Sequence, residues 1–353
     1  MSQLTPTVFN ATIGGLAIGL SIAVNAILLG RITCISGILG GLLSFDQSWF
    51  WRVAFHLGMA MGAFMLKKNF PNIFVETLAQ VFSWKFAIAG FLLSFGTCLG
   101  DGGFSGHALC GVPRQSTRSI VSVAIFSSTA FVVYWLTGGF MGVHSRTVSL
   151  EDIFMLQVEP LKQFFNGIKP VFIGLVGVIF VSVKGLNRSI PSLNVFLPLL
   201  VGAYAGYLFS MGIGLSGMLI PFKWFGLWNT TAWDPTLLFA FFPALLLSYS
   251  CFYLLRTENN RPILYSHHYL PTIKPVDGQL VIGAILFGLG LGWLGMTPET
   301  LLLQFLGNPR DESIRTTFIG MMVGLLLFSV YQKWLFQVRR KVTTKNNPTR
   351  RRE

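Results

Sequence analysis

The chain has 353 residues, of which 52% are hydrophobic, 14% aromatic and only 11% charged. Its mean hydropathy is +0.63. Soluble domains carry about 25% charged residues, so a soluble globular chain is excluded. The high hydrophobicity excludes disorder, and four Cys in this length exclude a disulfide scaffold. The formal net charge is +13. From Lys333 onward eight basic residues face only Glu353. A basic run behind an apolar helix reads as an anchor on anionic lipid, not as a nucleic-acid site. The expected fold is therefore all-α: a polytopic membrane protein.

In chain order, nine apolar stretches are long enough to span a bilayer. They cover roughly 8–30, 49–66, 86–102, 119–141, 170–184, 193–213, 234–255, 278–296 and 315–337. Residues 1–30 carry no Lys, Arg, Asp or Glu, so the first stretch reads as a span and not as a signal peptide. Between the spans lie apolar pieces too short to cross, at 33–43, 74–82, 106–111, 218–227 and 298–306. These read as re-entrant or interfacial segments. Residues 142–169 and 256–277 are the longest polar connections.

The basic tail inside and an odd span count place the N-terminus outside and the C-terminus in the cytoplasm. Arg31, Arg114, Arg118, Lys184, Arg188, Arg256, Arg261 and Lys274 then also fall inside. The two halves repeat. A Gly-rich span leads into Cys34-Ile35-Ser36-Gly37 in one half and into Ser216-Gly217-Met218 in the other. Gly111-Val112-Pro113-Arg114 precedes a span, as does Gly307-Asn308-Pro309-Arg310. Four spans, one linker span and four spans give an inverted pseudo-twofold repeat, the plan of many secondary transporters. The expected units are a first repeat over 1–141, a connecting segment with the linker span over 142–192, a second repeat over 193–337, and a basic tail over 338–353.

Chemistry concentrates between Gly96 and Gly111, which hold six Gly besides Asp101, Ser105, His107, Cys98 and Cys110. Non-helical backbone at membrane depth is tolerated only inside protein or along a wet cavity. Gly106 and its neighbours could offer amides there, and Ser105 and His107 could help to hold an anion. The bland alternative is close helix packing through small residues. Asp101 and His107 are the expected proton carriers near this stretch. Cys34 and Cys110 lie in short segments, and a thiol is a soft, weak donor suited to a polarizable sulfur cargo. Met218 and Met296 each follow Gly and precede Pro, and either could line the same path or simply fill gaps. Lys223 could face a pore or snorkel to the interface. The Cys and His spacings do not fit a metal site, no cofactor fingerprint or nucleophile–base pair is present, and an enzyme is not expected.

These pieces together resemble the YeeE/YedE sulfur-transport family in its two-repeat form. Residues 30–41 with Arg31 and Cys34, the Ser105-Gly106-His107-x-x-Cys110-Gly111 element with Arg114, Gly217-Met218-x-x-Pro221-x-Lys223, and residues 288–298 carry the resemblance. It implies uptake of thiosulfate or a related small inorganic sulfur anion across the bacterial inner membrane, passed along thiols. It further implies a sulfur-carrier or sulfurtransferase protein as partner on the cytoplasmic side. The oligomeric state stays open. Gly103 and Thr297 stand where the family pattern has Cys. Either the substrate differs, or Met296, Thr297 and Cys110 replace the thiols. Two other readings stay open: a non-transporting subunit or sensor with the same fold, and a membrane sulfurtransferase using Cys34 or Cys110.

Overall fold

The computed structural model describes residues 7–43, 48–74, 83–138, 158–183, 191–257, 261–270 and 275–346. Among the described residues, twelve α-helices and one π-helical segment make up the frame, with a short 3-10 turn at Pro71–Ile73. They are α1 (Val8–Leu29), α2 (Ile35–Gly41), α3 (Trp49–Asn69), α4 (Trp84–Leu99), the π segment (Phe104–Gly111), α5 (Thr117–Thr137), α6 (Val158–Val183), α7 (Pro191–Ser216), α8 (Pro221–Trp228), α9 (Thr236–Thr257), α10 (Gly278–Leu294), α11 (Pro298–Gly307) and α12 (Glu312–Asn346).

A helix fills each of the nine predicted stretches. Six of them, α1, α5, α6, α7, α9 and α12, are long and apolar enough to cross a membrane. Two more qualify as bent pairs: α4 with the π segment, at 45°, and α10 with α11, at 41°. α3 carries Arg52, Lys67 and Lys68 and is less apolar. α6 begins well before residue 170 and runs through Pro170, so the polar connection is shorter than expected. The last helix continues to Asn346, past the expected end of the span. Most of 142–169, residues 75–82, Lys184, Arg188, Lys274 and the tail beyond 346 lie outside the described residues.

Glycine decides how the long helices meet. A Cβ at Gly14 would stand 2.7 Å from the Gly212 carbonyl oxygen, and one at Gly212 would stand 2.8 Å from that of Gly14. The same reciprocity joins Gly96 and Gly283, at 2.7 Å each way. Bare backbones therefore touch where α1 crosses α7 and where α4 crosses α10. Small residues at such crossings replace the hydrophobic drive that lipid does not supply. α3 packs on α7 and α9 on α1; α5 packs on α10 and α12 on α4. Exchanging α1, α3, α4 and α5 for α7, α9, α10 and α12 leaves this pattern unchanged.

The ends of the paired helices also correspond. Gly30 after α1 and Gly217 after α7 both take a left-handed conformation, with φ 63° and 82°. Glycine adopts it without the Cβ clash that other residues meet. Each turn sends the chain into a short helix, α2 or α8. The breaks after α4 and α10 likewise hold left-handed residues, Asp101 and Gly295.

Candidate functional site

The four short segments meet in the middle of the frame. α2 packs on the π segment and on α11. Phe104 of the π segment sets its ring edge-on to Trp224 of α8, with centroids 5.2 Å apart. Gly295, at the α10–α11 break, faces the Pro221 carbonyl of α8.

Cys34 is the N-cap of α2 and is buried. Its Sγ lies 3.4 Å from Ser36 Oγ. The thiol fills the space over Gly106, where a Cβ would come within 2.6 Å of it. Ser105 Oγ accepts from the Ile35 N–H at 3.1 Å, which ties the π segment to the first turn of α2. Cys110 Sγ points at the Thr33 carbonyl oxygen, 3.5 Å away. Asn25 Nδ2 donates to Thr33 Oγ1 at 2.8 Å and braces the same strand of chain. Bonds from α1 and the π segment thus hold the residues on either side of Cys34.

A cavity of about 640 Å³ opens onto this thiol. Cys34, Gly106 and His107 line it, together with Arg114, Arg118 and Arg256 against the single acid Asp101. Burial holds the Arg114 guanidinium below the usual arginine range, because a charge taken from water is costly unless a counter-charge arrives. Arg118 is held by Asp101 and Asp277, both at 3.2 Å. It also donates to the Pro275 carbonyl at 2.6 Å. A second cavity of about 330 Å³ approaches α2 from Ser36, Gly37, Arg52 and Cys98.

The imidazole of His107 is a latch within the first half. Its Nε2 lies 3.0 Å from the Gly100 carbonyl and its Nδ1 3.0 Å from Ser119 Oγ. A carbonyl only accepts, so Nε2 carries the proton, and a neutral ring then accepts from Ser119 at Nδ1. The residue that faces the α10–α11 break is Ser105, whose N–H lies against the Glu299 carboxyl. His107 therefore stays with its own half, and Asp101 is bound to Arg118.

The remaining candidates separate by position. Arg31 is stacked in an aromatic cage, 4.8 Å from the Trp51 centroid and 4.4 Å from that of Tyr269. Met218 and Met296 are buried core residues that line neither of these cavities. Thr297 closes a capping box with Thr300 at the start of α11. Lys223 neither snorkels nor faces a cavity: it is buried and bonded to Asp234 at 2.6 Å and to Thr236 at 3.2 Å. At Gly103 a Cβ would meet Thr97 Cγ2 at 2.8 Å, so a larger side chain requires Thr97 to shift. Glu299 was not among the sequence candidates. Its signal was a single acid on a short apolar helix between spans, a costly placement that asks for a reason.

Fold and site together define a polytopic helical membrane protein with two bent helix pairs and an arginine-lined cavity that reaches a thiol. Residues 197–342 match the model of a family of unknown function (DUF6691). Probable transporters of Xylella fastidiosa strains Temecula1 and 9a5c are 36% and 35% identical to the chain over 133 residues. That stretch is 93% of each relative and 37% of this chain. A further probable transporter of strain 9a5c is 36% identical over 109 residues, 74% of its length and 30% of this chain. The chain belongs to the family of these probable transporters. No solved structure matches it.

Proposed function

We propose that the protein is a permease of the bacterial inner membrane for thiosulfate or a related small inorganic sulfur-containing anion, and not an enzyme. The observation that carries this is the cavity lined by Arg114, Arg118 and Arg256 that ends on Cys34, where short segments of both halves meet. The guanidinium groups offset the cost of bringing an anion out of bulk water. Cys34 offers its thiol to a soft anion there, with the Ser36 hydroxyl 3.4 Å behind it. The resemblance to the YeeE/YedE family supports sulfur as the element carried.

The exchange-invariant packing supports two repeats, over 1–141 and 193–337, inverted about the α1–α7 and α4–α10 crossings. Relatives that are 93% covered by 133 residues are close to one repeat in length, which fits the same division. In this reading the cavity opens to the cytoplasm, where a sulfur carrier or sulfurtransferase would collect the cargo. The N-terminus is outside and the C-terminus inside. The path is Cys34, Ser105 and Gly106, with Thr297 and Met296 behind them. His107, Cys110, Arg31, Arg114 and Lys223 shape or charge its surroundings.

One observation favours a second reading, a non-transporting subunit that keeps the fold. A relay thiol at Gly103 would require Thr97 to shift, and Thr297 is used as a helix cap. Growth decides between them. A strain lacking its own thiosulfate uptake should grow on thiosulfate as sole sulfur source when it expresses this chain. A folded, membrane-inserted protein that does not restore growth on thiosulfate or sulfite would favour the subunit.

A further inference from the structure

Glu299 is the one carboxyl group among the described residues that is buried to 1% exposure. It lies in the first turn of α11, beside the break in the α10–α11 pair. Its carboxyl lies against the Ser105 N–H, its own N–H and the Thr297 hydroxyl. Its Oε1 has no hydrogen-bond partner among the described residues. The Cys34 thiol is close enough to feel its charge. Glu299 therefore stands where the broken helices of the two halves touch, next to the thiol that ends the basic cavity.

No cation pairs with it among the described residues. Cys34 is the titratable group that faces it from α2, and the π segment presents the Ser105 N–H. On the elements around it several charged and titratable groups are engaged elsewhere. On α3, Arg52 lies over Gly41, His56 bonds the Arg52 carbonyl and Lys67 lies over Phe74. Arg315 of α12 pairs with Glu312, and Lys223 of α8 pairs with Asp234.

Two opposing influences act on such a group. Burial penalises the carboxylate. The helix N-terminus and the N–H groups favour it. A carrier of protons needs such opposing influences, and Glu299 meets both. We propose that Glu299 binds the proton that crosses the membrane together with the anion, making the protein a proton–anion symporter. This deepens the transport reading above and rests on it.

The coupling is electrostatic. An anion at Cys34 and Ser105 would sit beside Glu299. Two like charges about 4 Å apart at an effective dielectric of about 20 disfavour joint occupancy by roughly a thousandfold. Cargo then enters the junction only when Glu299 is protonated, and the O–H on the unpartnered oxygen can donate to it. When the anion leaves, the proton leaves with it, and the carboxylate resets. The proton removes one negative charge from the load that must move against the interior potential.

The test uses the full-length protein in liposomes with the membrane potential clamped, and radiolabelled thiosulfate and sulfite as probes. With one proton per anion, the accumulation ratio of the wild type should rise about tenfold per pH unit of inward proton gradient. Glu299→Gln keeps the shape and a neutral donor. It should retain exchange of labelled for unlabelled anion and lose the gradient response. Wild-type protein that exchanges anion but whose accumulation ratio ignores the gradient would overturn the proposal alone, as would a Glu299→Gln variant whose accumulation still follows it. No exchange of either anion by folded wild type would overturn the transport reading and this one with it. Should Glu299→Gln fail to insert, carbodiimide modification of Glu299 in the wild type, read by peptide mass spectrometry, takes its place. Modification that leaves gradient-driven uptake intact overturns the proposal.

Discussion

Replacing Lys223 by Met separates a structural lysine from one that handles cargo. Lys223 and Asp234 are 3% and 7% exposed, and their charged atoms are 2.6 Å apart. Met keeps the length of the chain and removes the charge. Asp234 would then hold a buried carboxylate that keeps the Thr236 N–H at 2.9 Å and the Thr236 hydroxyl but has lost its cation. Breaking such a pair from one side costs about 3–5 kcal/mol. The remaining bonds to Thr236 place the expected value near the lower end, about 3 kcal/mol. At about 2 °C per kcal/mol, the unfolding midpoint in detergent should fall by about 6 °C. Removing both charges, as in the Lys223→Met, Asp234→Leu double variant, should return most of that loss, because no orphan charge remains. Uptake per folded molecule should match the wild type in the double variant. A Lys223→Met protein as stable as the wild type but inactive would refute this reasoning and place Lys223 on the cargo path.

Other outcomes follow from the same geometry. Cys34 lines the large cavity, whereas Cys110 faces the Thr33 carbonyl and Cys251 the Ala23 carbonyl; a small thiol reagent should therefore modify Cys34 first, with thiosulfate slowing it. Equal labelling of all three would contradict the assignment. Gly106→Ala should cut uptake, because its Cβ would stand 2.6 Å from Cys34 Sγ; unchanged uptake would show that the thiol has room to retreat. His107→Ala removes two bonds that hold the π segment, worth about 1 kcal/mol each. The yield of folded protein should drop while the surviving protein still transports, and normal yield with no uptake would instead make His107 a cargo ligand. A tag after Glu353 should be reachable only from the cytoplasm and one before Met1 only from outside; labelling of both from one side would end the inverted-repeat reading.

Much of the frame was legible in the sequence because the bilayer sets a length. A run of about 20 apolar residues has few alternatives to a helix, and helices duly fill the nine stretches. The short segments were legible from punctuation. Gly30, Gly217 and Gly295 mark the left-handed turns, and Pro221 and Pro298 open α8 and α11. The start of α6 was misplaced because Lys162, Gln163, Asn166 and Lys169 read as a polar connection, although they are turns of one helix.

The partners inside the site were not legible. Ser105 and Glu299 are brought together only when α4 and α10 cross through Gly96 and Gly283. Lys223 could face a pore or snorkel by sequence, and its actual partner Asp234, folded back beneath Gly226, was not visible there. His107 looked like the anion ligand because an ionisable group among glycines is expensive. Ser119 and the Gly100 carbonyl supply the reason for it.

The most direct measurement is uptake of radiolabelled thiosulfate by the purified full-length protein in liposomes, beside empty liposomes and the Cys34→Ala variant. The account predicts time-dependent uptake by the wild type and a loss of about tenfold or more in Cys34→Ala, equivalent to about 1.4 kcal/mol. Folded wild-type protein that takes up no more thiosulfate than empty liposomes would contradict it.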